Sequence, residues 1–159
     1  MTLRFSAFAF ATAAAACVAH AQTPVQWKAT PPSEAVARGA TAPVKLVATI
    51  DAGWHIYSLT QGPGGPTPTK ITLPKDQPFT IGGEIKATAP DVKLDQNFGI
   101  NVETYVDDAE FTVPVKVDPA AKVGDKVLVA VRYQVCNEST CLPPHTEKIS
   151  VPLTIKKGK

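Results

Sequence analysis

Apolar side chains recur at every second position through four stretches of the chain. Val44, Leu46, Ala48 and Ile50 alternate with Lys45, Thr49 and Asp51, and Phe111, Val113, Val115 and Val117 alternate with Glu110, Thr112, Pro114 and Lys116. Val127, Val129, Val131, Tyr133 and Val135 fall on one face, with Lys126, Arg132 and Gln134 on the other. Ile149, Val151, Leu153 and Ile155 alternate with Lys148, Ser150, Pro152 and Thr154. Successive side chains leave a pleated backbone on opposite faces, so each stretch predicts a strand with one face toward a core. Shorter strands are predicted at 25–29, 54–59, 69–73, 79–86 and 103–106. A helical turn is predicted only at Ser33–Arg38, ended by Gly39.

Proline and glycine punctuate the rest. There are 15 Pro and 10 Gly, all after residue 21, and the widest proline-free gaps run from Pro90 to Pro114 and from Pro119 to Pro143. Gaps that short exclude a helical bundle. Seven to nine antiparallel strands at this spacing predict an all-β, immunoglobulin-like sandwich, a single domain over residues 22–159 with no internal repeat.

The first 21 residues read differently. Arg4 precedes an uncharged run from Phe5 to Val18, and Ala19-His20-Ala21 places small residues where a signal peptidase reads them. This predicts a signal peptide cleaved before Gln22 and export to the periplasm. The run is too short for a membrane span. The alternative is a lipoprotein, with Ala14-Ala15-Ala16-Cys17 as a degenerate lipobox anchored at Cys17. Charge narrows the partners: 16 Lys+Arg stand against 14 Asp+Glu without a basic cluster, which argues against nucleic acid. Lys156-Lys157-Gly158-Lys159 reads as a solvated tail.

Beyond the leader two cysteines remain, Cys136 and Cys141, and no methionine. An exported pair predicts one disulfide, at least transiently. The absence of thioether sulfur argues against a copper carrier. The four residues between the cysteines match a hairpin loop, and directly opposed strand residues lie close enough for a disulfide. Inward positions are odd-numbered on both flanking strands, so inward pairs sum to an even number, whereas 136 and 141 sum to an odd one. One extra residue is therefore required between the cysteines and the main ladder, and Pro143-Pro144 is the natural place, since proline cannot donate to a ladder. On this alternation Cys136 shares the outward face with Arg132 and Gln134. Closing so small a loop restrains the unfolded chain by only about 2 kcal/mol. Two readings stay open: a surface clip on a hairpin, or a redox-active dithiol/disulfide.

The segment Tyr133-Gln134-x-Cys136-x4-Cys141-x-Pro143-Pro144 resembles the N-terminal periplasmic domain of the thiol:disulfide interchange protein DsbD and its stand-alone relatives, the disulfide bond corrector domains. The likeness extends from Val25 to Ile155. It includes Asp51-x-Gly53-Trp54-His55-Ile56-Tyr57, similar to the family's glycine followed by alternating aromatics. It also includes Leu94 to Gly99 and Glu103-Thr104-Tyr105, similar to its cap loop and the following strand. Five residues separate the cysteines in the DsbD domain; the four found here fit the corrector relatives better.

The resemblance implies an immunoglobulin-like fold and a relay of reducing equivalents by thiol–disulfide exchange, without a cofactor. It implies thioredoxin-fold periplasmic partners joined through transient mixed disulfides, a membrane electron donor of the DsbD/CcdA type, and delivery to disulfide isomerases or cytochrome c maturation thioredoxins. A monomer is expected. Cys141 is the implied exchanging sulfur and Cys136 the resolving one. Phe98 is the candidate aromatic lid, although Asn97 stands where an ungapped match places it. His55 and Tyr57 map onto the active-site aromatics, with His55 a candidate to modulate thiolate formation. Asp95 and Glu138 are candidate proton acceptors. The rival class is a binding or assembly module with a structural hairpin disulfide. A hydrolase is not indicated, for no Gly-x-Ser-x-Gly elbow or metal triad occurs. His145 with the two cysteines falls one ligand short of a closed zinc site.

Overall fold

The computed structural model describes residues 23–95 and 98–156; the expected leader, Cys17 included, lies outside them. Within the described residues the alternating stretches are strands and no helix occurs. In chain order they are β1 (Val25–Thr30), β2 (Thr41–Ile50), β3 (His55–Tyr57), β4 (Lys70–Thr72), β5 (Phe79–Ile81), β6 (Lys86–Ala87), β7 (Asp91–Asp95), β8 (Ile100–Tyr105), β9 (Asp108–Val117), β10 (Lys126–Tyr133), β11 (Val135–Cys136) and β12 (His145–Pro152). They form three antiparallel sheets. The first has the order β1-β2-β9-β5, with β6 also on β9; the second is β12-β10-β4; the third is β11-β3-β8-β7.

One apolar core holds the three sheets together. Register places Val44 against Val113 and Leu46 against Phe111 in the first sheet, with all four side chains buried. Val127, Val129 and Val131 come from the second sheet, and Ile56, Tyr105 and Val135 from the third. Phe111 is the common contact: its ring lies 5.6 Å from Trp27 and 5.4 Å from Tyr105, and Trp27 in turn lies 5.6 Å from Tyr133. The cluster thus draws one aromatic from the second sheet and one from the third onto the first. The architecture is the immunoglobulin-like sandwich expected.

Several elements differ from the pattern-based expectation, and the described residues hold twelve strands because two stretches split and one further strand, β7, is added. The stretch 79–86 divides into β5 and β6 around Gly82-Gly83. A Cβ on Gly82 would sit 2.9 Å from Thr41 Oγ1 and 3.0 Å from Lys116 Cβ, so only glycine lets the chain pass there. Ser33–Arg38 makes no helical turn. Val36 is drawn into a parallel bridge with Ile155, its N–H donating to Thr154 O (2.7 Å) and its carbonyl accepting from Lys156 N–H (2.8 Å). β7 is an additional edge strand, and its Val92 and Leu94 are each 63% exposed; backbone pairing to β8 holds it without a buried face.

The break that matters most is at Gln134. The stretch predicted as one strand over 127–135 ends as β10 at Tyr133, which pairs with His145. Beyond it Leu142 N–H donates to Val135 O at 2.9 Å, and Cys136 opposes Cys141. Gln134 alone therefore faces both Pro143 and Pro144, a bulge of one residue. Its amide takes over the missing ladder bonds: Nε2 donates to Leu142 O (3.3 Å) and Oε1 accepts from Thr67 N–H (3.1 Å). The chain then leaves the second sheet, and β11 joins the third by pairing Val135 with Ile56 and Cys136 with His55.

Gln134→Ala removes both bonds and leaves the Thr67 donor without this partner. We expect a loss of about 1–3 kcal/mol in urea unfolding, with faster hydrogen exchange at the Thr67 amide than at the β2–β9 amides. Equal exchange would show that the bulge is held by other contacts.

Candidate functional site

The third sheet has two occupied faces. Ile56, Tyr105 and Val135 turn into the main core. The opposite face carries the directly opposed pair His55 and Cys136, together with Tyr57 and Val102. Strand parity gives Cys136 the outward direction correctly, but outward is not exposed here: Cys136 is only 1% exposed, because Tyr57 and Val102 pack over it in a second small cluster. Arg132, on the same parity in β10, is exposed.

Local chemistry sets each piece. A turn closed by Trp54 N–H donating to Asp51 O (3.0 Å), with Gly53 at φ 81°, launches β3. A side chain at that φ would be strained, so glycine belongs there. At the other end of β3, the Ser58 and Thr60 hydroxyls donate to the Glu103 carboxylate, and Gln61 Oε1 accepts from Glu103 N–H at 2.7 Å. These bonds clamp β3 to β8 and hold the Glu103 carboxyl below its usual range. The hairpin after β11 is fixed by Asn137, whose N–H donates to Thr140 O (2.9 Å) and whose Oδ1 accepts from Ser139 N–H (2.9 Å) and Thr140 N–H (2.8 Å). That Asx turn leaves Glu138 and Ser139 at the tip.

Cys136 and Cys141 are joined in a disulfide, with Cα atoms 4.0 Å apart. Cys141 is exposed while Cys136 is buried. A cavity of about 470 Å³ opens over the pair. His55, Tyr57, Asp95, Phe98 and Glu138 all line it, so five of the six residues expected around the disulfide gather there. Asn97, the sixth, lies outside the described residues. Phe98 stands on the rim, 43% exposed, its N–H donating to Asp95 Oδ1 at 3.3 Å. Sequence reasoning missed Lys93, Asn137, Val106 and Asp107, which also line the cavity. Lys93 shares the alternation of Asp91 and Asp95, a signal present in the sequence but hidden by treating this segment as loop. His145 does not line the cavity and packs against Tyr133, ring centroids 6.0 Å apart.

His55 Nε2 and Tyr57 Oη are 3.0 Å apart, with the rings edge to face. Burial lowers the His55 pKa below its ordinary 6.5; Lys93 acts in the same direction and Asp95 opposes. Burial, then Asp95, pushes the Tyr57 phenol up to about 12. Near neutral pH the ring is therefore neutral and the phenol protonated, and the two share one hydrogen bond whose direction follows the ring tautomer. The pair is thus asymmetric: Cys141 is an exposed residue, Cys136 a buried one, and a hydrogen-bonded imidazole lies across the ladder from the buried one.

Among the described residues no helix is long and apolar enough to cross a membrane. No curated protein matches the chain. Two solved structures resemble it in fold. One is the N-terminal domain of DsbD from Neisseria meningitidis in the reduced form, at 19% identity and TM-score 0.51, covering 74% of this chain and 82% of that one. The other is the N-terminal periplasmic domain of ScsB from Proteus mirabilis, at 18% identity and TM-score 0.50, covering 84% of this chain and 47% of that one. The family described as thiol:disulfide interchange protein DsbD, N-terminal, matches residues 25–153, from the start of β1 to one residue past β12. With its disulfide-bonded hairpin and immunoglobulin-like sandwich, the chain belongs to that family.

Proposed function

We propose that this chain is an extracytoplasmic thiol–disulfide relay that passes electron pairs between thioredoxin-fold partners through Cys136 and Cys141. The observation that carries the reading is the asymmetry of the pair: one residue exposed at the mouth of a cavity, the other buried beneath it. Exchange needs one reachable sulfur and one held back to resolve. A partner thiolate attacks Cys141 Sγ. The partner–Cys141 bond forms, the Cys136–Cys141 bond breaks, and its electron pair leaves on Cys136 Sγ. The partner's second thiolate then attacks its own sulfur in the mixed disulfide and releases Cys141. The partner departs oxidised, and two solvent protons complete the two thiols here. In the reverse direction Cys141 attacks a partner disulfide and Cys136 resolves. Electrons and protons balance without a cofactor.

In this reading the leader ending at Ala21 is removed on export and residues 22–159 act in the periplasm. Electrons come from a membrane donor of the DsbD/CcdA type and leave to Cys-x-x-Cys proteins. Phe98 on the cavity rim shields the bond from adventitious thiols, and Glu138 and Asp95 add negative charge around it.

Three outcomes test the reading. Cys136→Ala, which deletes the resolving sulfur, should accumulate a mixed disulfide with a thioredoxin-fold protein on a non-reducing gel; Cys141→Ala should trap far less. No adduct from either variant, with a reduction potential well below about −300 mV, would return the disulfide to a structural clip in a binding module. The double variant Cys136→Ala/Cys141→Ala should stay folded in circular dichroism and lose about 2 kcal/mol, because the bond closes only residues 136–141. Phe98→Ala should speed reduction by dithiothreitol several-fold with little change in stability; an unchanged rate would remove Phe98 from the shielding role.

A further inference from the structure

Cys136 presents a difficulty that the relay alone does not resolve. When the disulfide opens, the leaving sulfur becomes a thiolate at a residue only 1% exposed, packed against Tyr57 and Val102. An uncompensated charge there is costly, because burial removes the water that would solvate it. The side chain directly across the ladder is His55, on the same face of the sheet. Directly opposed residues of an antiparallel pair have Cβ atoms roughly 4.5–5.5 Å apart. His55 is partly exposed, so it has access to solvent protons that Cys136 lacks.

We infer that His55 is the charge-balancing residue of Cys136: it takes up a solvent proton as Cys136 leaves as a thiolate, and returns that proton when the thiolate is consumed or protonated. This rests on the relay reading and deepens it. Each opening of the disulfide brings one electron pair onto Cys136 Sγ and one proton onto the imidazole, so the buried face stays neutral. The Tyr57 phenol makes the change reversible. In the cationic ring Nε2 carries a proton and the phenol oxygen accepts from it, so the 3.0 Å contact survives the change of charge. The phenol keeps its own proton throughout, since its pKa is pushed up to about 12.

The other charged groups around the imidazole set the resting state. Lys93 and Asp95 act on it from β7, and Glu138 on the hairpin and Asp107 in the turn between β8 and β9 line the same cavity. In the disulfide state burial and Lys93 outweigh Asp95, and the ring stays neutral above pH 6.5. A thiolate on Cys136 reverses that balance. The ring is therefore neutral when no charge needs compensation and cationic when one does.

The test uses Cys141→Ser, which leaves Cys136 as the only thiol after the leader and needs no partner. Thiolate absorbance near 240 nm gives the Cys136 titration. Adding His55→Gln, which retains a hydrogen bond to Tyr57, or His55→Phe, which retains a ring of similar size, should raise the thiolate midpoint by at least one pH unit, about tenfold less thiolate at a fixed pH. The His55 ring protons, followed by NMR with the native histidine in place, should titrate at higher pH in Cys141→Ser than in Cys136→Ala/Cys141→Ala. Equal thiolate midpoints with and without His55, or an unchanged ring titration, would overturn the inference and leave the relay standing. Loss of the mixed-disulfide trap would instead overturn the relay and leave these titrations as they are.

Discussion

Two consecutive prolines cannot supply ladder N–H groups, and in this chain that inability decides where the chemistry lies. Pro143 and Pro144 stand where β12 would otherwise continue alongside β10, and the single residue opposite them, Gln134, bonds to Thr67 and Leu142 through its side chain. Freed from β12, the chain turns from the second sheet into the third. The cysteines consequently belong to a sheet whose other members carry His55, Tyr57, Lys93 and Asp95. A regular ladder through this point would have kept Cys136 beside β12, and the cavity residues would have had no disulfide beneath them.

Much of this was legible in the sequence. The period of two located all four long strands, and the parity conflict between inward residues and the cysteine pair placed a one-residue bulge at the prolines. What periodicity could not show was a change of sheet, because Val135 stays in phase with Tyr133 while contacting a different neighbour. Nor could parity say what covers an outward face: Cys136 turns away from the main core, yet Tyr57 and Val102 bury it. β7 was missed for a related reason. Val92 and Leu94 alternate with Asp91, Lys93 and Asp95 as strand residues do, but the strand is held by backbone bonds at an edge, with neither face needing a core.

The two faces of the third sheet divide the labour. Its inner face carries Ile56, Tyr105 and Val135 into a core shared by all three sheets. The outer face is a thin layer of Tyr57, Val102, Cys136 and part of Ile100. Tyr57 and Val102 are nevertheless fully packed, so truncating either one would leave a cavity beside Cys136. A buried sulfur and a partly wet imidazole coexist across one ladder because the layer is only one side chain deep.

The Asn137 turn carries a further consequence. None of its three hydrogen bonds involves sulfur, so none of them is lost when the disulfide opens. A cysteine left free in a flexible loop would have to find its neighbour by diffusion, and an intermediate joined to another protein would linger. In the proposed relay the second sulfur would already be positioned by the hairpin, with the effective concentration of an intramolecular neighbour. The lifetime of a covalent complex in that relay would then be set by how quickly two pre-positioned groups react, and an asparagine that hydrogen-bonds neither sulfur would keep that lifetime short.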